Sequence, residues 1–511
     1  MRYYLGLDNG GSTTKAAIFD INGNEIGVES VSTEMITPAP GFAESDMEEK
    51  WQTNCTVVKS LIEKLSIDPA DIAGVGICGH GKGLYLWGKN DKPLRNGITS
   101  NNTRAYKYPA KWREDGTEEK VFQISCQHIM ECQPVALLAW LKDNEPDNYK
   151  NIKWIFECKD YIRFRLTGEA RAERTDTSGA NLLNLYTREY DDELLRLFGL
   201  EECRGALPPL CNAIDICGYV TEEASKACGL KEGTPVIGGM FDIDACALAT
   251  GIFDEDNICA IAGTWSINEY IRTTPVTDGS VRMNSLFALP QYYLVEESSP
   301  TSAGNNEWFI RNMLPEVVAE AKAKGVSPYD VMNSWVEGVA PDEFVPVFLP
   351  FIMASNVHPN ARGTFIGINL STDRRAMLRS IYEGIVFGHK MHIDKLLASR
   401  ELPPKSIRLA GGAAHSRVWT QIFADALQIP IEMVDVNETG AFGCALAVAV
   451  AIGDYDSLEE AAGRMCTISE KIMPREEYRE IYDSKYALYK KSIECLDGLW
   501  DDMQAVIESR G

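Results

Sequence analysis

The chain has 511 residues, 45% of them hydrophobic, which is enough to bury more than one core. A formal net charge of −24 argues against nucleic acid or an anionic membrane as partner, because the long-range field repels both. The 14 cysteines hold no C-x-x-C pair and the six histidines no ligand spacing, so neither a disulfide framework nor a transition-metal site is expected; the thiols read as reduced, in a cytoplasmic protein.

Taken in order, the amino terminus enters a strand at once, which leaves no room for an apolar signal segment. The longest apolar run, 441–453, falls short of the roughly 20 residues of a membrane span. Tyr3 to Ile26 reads as a hairpin: apolar Tyr4–Leu7, a Gly10-Gly11 turn, then Lys15–Asp20 and a second turn at Asn22-Gly23. Ser45-x-x-Glu48 predicts a capping box opening an amphipathic helix through Trp51, Val57, Val58 and Leu61. Asp71–Cys78 predicts a buried strand that ends in the glycine-rich run CGHGKG. Helices follow around Val135–Lys142 and Thr221–Cys228, and an alanine-rich one runs from Phe241-Asp242 to Gly251.

Ile258 to Ile271 then repeats the opening of the chain as strand, glycine turn, strand. A helix near Asn305–Met313 and an irregular stretch, Phe344–Pro359, precede a helix from Thr372 to about Leu397. The strand Ser406–Ala410, a Gly411-Gly412 turn and a helix Ser416–Leu427 come next. Thr439–Gly453 is a small-residue helix suited to close packing. From Glu476, Tyr478, Tyr482, Tyr486, Tyr489, Ile493, Leu496 and Trp500 mark the packing face of a long helix.

Four patterns carry chemistry. In LGLDNGGSTTK, Leu5–Lys15, a strand delivers Asp8 beside a glycine turn with hydroxyls and amides, which suits a magnesium–phosphate complex; alone it is also an ordinary hairpin. AGTWS, Ala262–Ser266, offers a second such turn with Thr264 and Ser266 as donors, and the pair would clamp a polyphosphate. In GGMFDIDAC, Gly238–Cys246, Asp242 lies where a strand gives way to a helix. The helix terminus there favours an ionised carboxylate able to take a proton from a hydroxyl, unless Asp242 is only a cap, a role also open to Asp244. LAGGAAHSRVW, Leu409–Trp419, would let a flat ring lie against backbone, or is a plain strand–helix turn. CGHGKG carries His80 and Lys82 on a glycine turn but lacks the K-[ST] of a phosphate-binding P-loop.

In this order and spacing the patterns resemble the FGGY carbohydrate kinases over about residues 3–455. PGFAESDMEEKW, QPVALLAWLKDNEP, KDYIRFRLTGE with Thr175-Asp176-Thr177-Ser178, LKEGTPVIGGMFD and RGTFIGINLSTDRRAMLRSIYEGI are similar to that family's further motifs. The resemblance implies an α/β fold of two actin-like ATPase (ribonuclease-H-like) domains with a deep interdomain cleft. The implied domains are 1–251 on the sugar side, 252–455 on the nucleotide side, and a helical extension, 456–511. It implies ATP and Mg2+, with Asp242 as general base and Asp8 near the metal, through water. Gly11, Ser12, Thr13 and Lys15 would form the first phosphate hairpin, Gly263, Thr264 and Trp265 the second, and Gly411, Gly412 and Ala413 would lie by the adenosine. Gly79, His80, Lys82, Arg104 and Asp242 would meet the sugar, with Glu44 a weaker candidate.

Departures bear on the substrate. Gly11 stands where many members carry threonine, Ser100–Arg104 lacks the usual tryptophan and aspartate, MASNVHP replaces a G-E-R-x-P loop, and Ala376 fills a usually polar position. CGHGKGLYLWGKNDKPL and SSPTSAGNNEWF are instead similar to the L-xylulose (3-keto-L-gulonate) kinase-like subgroup. The expected acceptor is therefore a small sugar such as L-xylulose or 3-keto-L-gulonate. The alternatives are D-xylulose, ribulose or a sugar alcohol, and more remotely a non-catalytic actin-like ATPase. Members of the family are often dimers, so a homodimer is expected by analogy.

Overall fold

Tyr3–Asn9 and Thr13–Asp20 pair antiparallel, with Leu5 opposite Ile18 and Asp8 opposite Lys15. Tyr4, Leu5, Ala16, Ala17, Ile18 and Phe19 are fully buried, so the near-continuous apolar run reflects a hairpin covered on both faces. The computed structural model describes residues 1–11 and 13–509. Beyond the Asn22-Gly23 turn the chain returns as a third strand, Glu25–Ser32, which the sequence reading, ending at Ile26, did not include.

The parallel strand Ile72–Gly79 lies on the other side of Tyr3–Asn9, with Asp8 opposite Cys78 and Asn9 opposite Gly79. Pro235–Ile237 runs parallel to Ile72–Gly79, and Ile216–Tyr219 closes that edge antiparallel. Met240–Phe241 pairs with the end of the same strand, Phe241 opposite Gly79. Asp8, Gly79 and Asp242 therefore emerge together at the carboxyl ends of neighbouring parallel strands, the usual place for ligands in open α/β sheets.

Helix Met47–Leu65 buries Trp51, Cys55, Val57, Val58 and Leu61. Its cap is Asp46, whose carboxylate accepts from the N–H of Glu48 and Glu49. The expected capping box at Ser45 does not form, because Ser45 is held in a short strand, Glu44–Ser45, paired with Gly97–Ile98. Helix Thr439–Ala451 packs backbone to backbone. A β-carbon on Gly443 would lie 2.1 Å from the Ala245 carbonyl oxygen, so only glycine fits against helix Asp242–Ala249.

A second sheet repeats the first in outline. Asn257–Ala262 pairs antiparallel with Ser266–Arg272 and parallel with Ser406–Ala410; Ile431–Val434 follows parallel and Ile468–Ile472 antiparallel. The strand–glycine turn–strand echo in the sequence is thus one of topology. Asp373 caps helix Arg374–Ala398, and Ser416 caps Arg417–Leu427. Helix Arg479–Glu508 buries Tyr482, Tyr486, Tyr489, Ile493 and Trp500, the face that the periodicity predicts.

Two compact units emerge. The first holds Met1–Asp254, Ile271–Val295 and Asp435–Thr467, and the second Glu255–Tyr270, Glu296–Val434 and Ile468–Gly511. By contacts, helix Thr439–Ala451 packs in the first of these units. All 14 cysteines are free, eleven of them buried. Among the described residues no helix is long and apolar enough to cross a membrane.

Candidate active site

In the first unit Asp8 sits half-buried at its strand end against the start of helix Thr439–Ala451. The space left by the missing side chain of Gly440 is 2.8 Å from an Asp8 carboxylate oxygen. Burial and Glu438 push its carboxyl above the ordinary range, while Lys15 and Lys50 pull it back. Lys15, expected to meet phosphate, pairs with Glu438 at 2.7 Å. Gly10, Gly11 and Thr13 form the turn as expected; its carbonyl at Gly10 accepts from Lys50 Nζ at 2.9 Å. Asn101 stands 3.8 Å from the side-chain position of Gly11. Ser12 lies outside the described residues.

Asp242 occupies the first turn of its helix, half-buried. Among the described residues no side chain donates a hydrogen bond to its carboxylate, which accepts from the Ile243 backbone N–H. The expectation that the helix terminus holds Asp242 ionised is reversed in sign: burial first, then Asp8 and Asp176, push its carboxyl well above the usual range, with Lys82 and the Ile243 N–H opposing. Asp244 does not cap the helix. It is buried, accepts from the Ala288 N–H at 3.1 Å and is pushed well up by burial.

The Gly79–Gly83 turn is buried and follows directly from the strand beside Asp8. His80 Nε2 lies 2.9 Å from the Tyr85 hydroxyl and its Nδ1 has no partner. Burial and Lys50 lower its pKa to about 4, so the ring is neutral at neutral pH. Lys82 is 6% exposed, adopts a left-handed φ of 61° and places its ammonium 5.6 Å from the Phe241 ring centre. Arg104 is less free to act: it donates from Nη2 to Glu44 at 2.7 Å and from Nε to Asn102 at 3.0 Å, and its guanidinium carbon lies 4.0 Å from the Phe42 ring centre. Glu44 in turn binds Arg95 and Asn96, which makes both residues part of a structural network.

In the second unit the two expected nucleotide loops adjoin. Gly411 has φ 84°, and a β-carbon there would meet the Ala262 carbonyl at 2.7 Å and the Gly263 nitrogen at 3.1 Å. Gly412 is exposed, Ala413 is buried, and both lead into the capped helix Arg417–Leu427. Gly263 has open space where a side chain would stand, Thr264 is exposed and Trp265 half-buried. Thr264 also faces the first residue of helix Gly304–Met313, 3.9 Å from the side-chain position of Gly304. Glycine backbone, a threonine and a helix start suit an anion.

Sequence reasoning assigned no role to a buried charge cluster behind the sugar turn. Lys159 Nζ lies 2.8 Å from Asp160, 3.5 Å from Glu173 and 3.4 Å from Asp176, and Arg163 lies 2.8 Å from Asp160. The hints were the KDYIR and TDTS segments, which hold most of its members on two separate elements. Among the described residues no group of three or more His, Cys, Asp or Glu side chains is arranged to hold a metal.

Models of the FGGY family of carbohydrate kinases match twice, the N-terminal domain over residues 3–249 and the C-terminal domain over 258–452. An L-xylulose/3-keto-L-gulonate kinase of Escherichia coli K12 is 37% identical over 499 residues, 97% of this chain and 98% of its own. A ligand-bound xylulose kinase from Lactobacillus acidophilus superposes with a TM-score of 0.87 over 98% of this chain and all of its own, at 22% identity, which speaks to fold alone. A xylulose kinase from Rhodospirillum rubrum gives 0.83 over the same shares at 25% identity. The fold is the actin-like, ribonuclease-H-like two-domain α/β ATPase fold. With both domain models matched in order along nearly the whole chain, the protein belongs to the FGGY family of carbohydrate kinases and is an ATP-dependent sugar kinase.

Proposed function

We propose that this kinase phosphorylates a ketopentose such as L-xylulose, or the related 3-keto-L-gulonate, with Asp242 as general base. The carrying observation is the convergence of Asp8, the Gly79–Gly83 turn and an Asp242 carboxylate to which no described side chain donates, at the ends of adjacent parallel strands. The relative from Escherichia coli, with its printed substrate pair, supports the choice of sugar.

In this reading a sugar hydroxyl attacks the γ-phosphorus of ATP and Asp242 takes its proton. The turn at Gly10–Thr13 and that at Gly263–Trp265 orient the phosphates, and Gly411–Ala413 take the adenosine. His80 and Lys82 hold the sugar. Asp8 would hold magnesium through water; a half-buried carboxyl pushed up by burial and by Glu438 fits a divalent cation, which lowers the cost of its ionisation. When bound, the ion neutralises phosphate charge. Arg104, whose Nη1 has no hydrogen-bond partner among the described residues, would meet the sugar from the Phe42–Glu44 wall. Fourteen free thiols support a reducing, cytoplasmic setting.

The test is a screen of pentuloses, pentitols and 3-keto-L-gulonate for sugar-dependent ADP release. L-Xylulose or 3-keto-L-gulonate should lead in kcat/KM; a preference of about tenfold or more for D-xylulose or glycerol would sink the substrate choice and leave the family intact. Asp242→Asn should cut kcat by about two orders of magnitude or more at near-unchanged ATP affinity, and a near-normal rate refutes the base.

A further inference from the structure

Asp176 is 1% exposed, and among the described residues neither of its carboxylate oxygens accepts a well-formed hydrogen bond. An acceptor-only group in that state is costly, so its surroundings have to account for it. One oxygen lies 3.4 Å from Lys159 Nζ. The other lies against the sugar turn: a β-carbon on Gly81 would come within 2.7 Å of Asp176 Oδ1 and 2.3 Å of the Phe241 ring. The adjacent Thr175 hydroxyl accepts from the Phe241 N–H at 3.0 Å, which ties the same short helix, Arg174–Gly179, to the residue just before Asp242. One element thus touches both the loop expected to hold the sugar and the corner that presents the base.

We propose that Asp176 is a positioning residue for phosphoryl transfer, holding the Gly79–Gly83 turn against the Phe241–Asp242 corner and contributing the negative field in which Asp242 works. The proposal rests on Asp242 being the base. The groups that face Asp176 are Lys159 and Asp160 on helix Cys158–Thr167, Glu157 and Cys158 at its start, Glu173 at the cap of its own helix, and Asp242 and Asp244 on helix Asp242–Ala249. Five buried carboxyls, Glu157, Asp160, Glu173, Asp176 and Asp244, surround two buried cations, Lys159 and Arg163. The cluster cannot be fully ionised at low cost, and Asp176 is pushed to about 7, chiefly by burial. Lys159 keeps Asp160 and Glu173 as partners if Asp176 loses its charge, so an isosteric amide leaves the cation paired.

Asp176→Asn removes the charge and keeps the shape. The acidic limb of kcat/KM for the sugar should move to lower pH by about half a unit or more, because a negative neighbour of Asp242 is gone. KM for the sugar should rise about fivefold, with KM for ATP changed less than about twofold. A uniform loss of rate with the limb unmoved, or equal changes in both KM values, overturns the proposal. If Asp176→Asn does not fold, Gly81→Ala approaches the same contact from the loop, and an unchanged sugar KM in that variant overturns it equally. The Asp242→Asn rate is read alongside: a wild-type rate there sinks the base, whereas an inactive Asp242→Asn with an unmoved limb in Asp176→Asn sinks this proposal alone.

Discussion

At Asp242 two fields oppose each other. The open N–H groups of the first helical turn favour an anion, by a fraction of a kcal/mol to about 2 kcal/mol. Burial, Asp8 and Asp176 disfavour it, and they win. A base must be unprotonated to act, so the rate should fall as pH drops through a limb well above the roughly 4 of an ordinary carboxylate. His80 should add no limb near 6.5, because burial has already moved its titration to about 4. A kcat profile flat down to about pH 4.5 would count against Asp242 as base. Asp176 makes a linked prediction for stability. A carboxyl with a raised folded pKa keeps its proton longer in the native state than in the unfolded one, so its contribution to stability declines as pH rises from about 4 through about 7. Asp176→Asn lacks that decline, so its Tm relative to the wild type should improve steadily between pH 5 and pH 8, taken as approximate bounds of the window. A difference independent of pH would show that Asp176 does not titrate there.

Helix Thr439–Ala451 gives the sharpest case among the elements. Its small residues let its backbone meet that of helix Asp242–Ala249, so Gly443→Ala forces a β-carbon toward a carbonyl 2.1 Å away. It should destabilise by about 1–3 kcal/mol or more in urea unfolding, since backbone cannot yield as a side chain does. Gly263→Ala meets nothing within 4 Å and should leave stability within about 0.5 kcal/mol, while raising KM for ATP if that turn serves the phosphates. Equal losses in both would deny that packing separates them. The same helix shows what sequence conveys and what it does not. Its composition announced close packing, but only the fold says that its partners are the first strand, some four hundred residues back, and the Asp242 helix, some two hundred back. The Gly10-Gly11 and Gly263 turns, the Asp242 corner and the tyrosine face of the last helix were legible because each is a local pattern. The cap at Asp46, one residue past Ser45, was misread because Ser45 is taken by a strand pairing with residues fifty positions on. The Lys159–Asp176 cluster was illegible for the same reason: its charges come from elements whose proximity no short window contains.

At the scale of the whole molecule the two units share a strand order but carry different loops. The first ends its strands in carboxylates and a buried lysine, the second in glycine backbone and hydroxyls. On the proposed reading, donor-rich strand ends suit the phosphates of an anionic nucleotide and carboxylates suit the proton of an acceptor alcohol. The molecule as a whole, however, carries −24, and that charge repels the nucleotide before any loop can touch it. The range of this repulsion is set by salt: the Debye length is about 30 Å at 0.01 M and about 8 Å at 0.15 M. KM for MgATP should therefore fall as ionic strength rises between those limits, while KM for a neutral pentulose stays level. The opposite trend, tighter nucleotide binding at low salt, would mean that local cations at the phosphate turns, with Lys15 and Lys50 the nearest to the first of them, outweigh the global field. The sugar serves as the internal control: a salt response shared by both substrates would come from the protein's conformation, and a response confined to MgATP would come from charge.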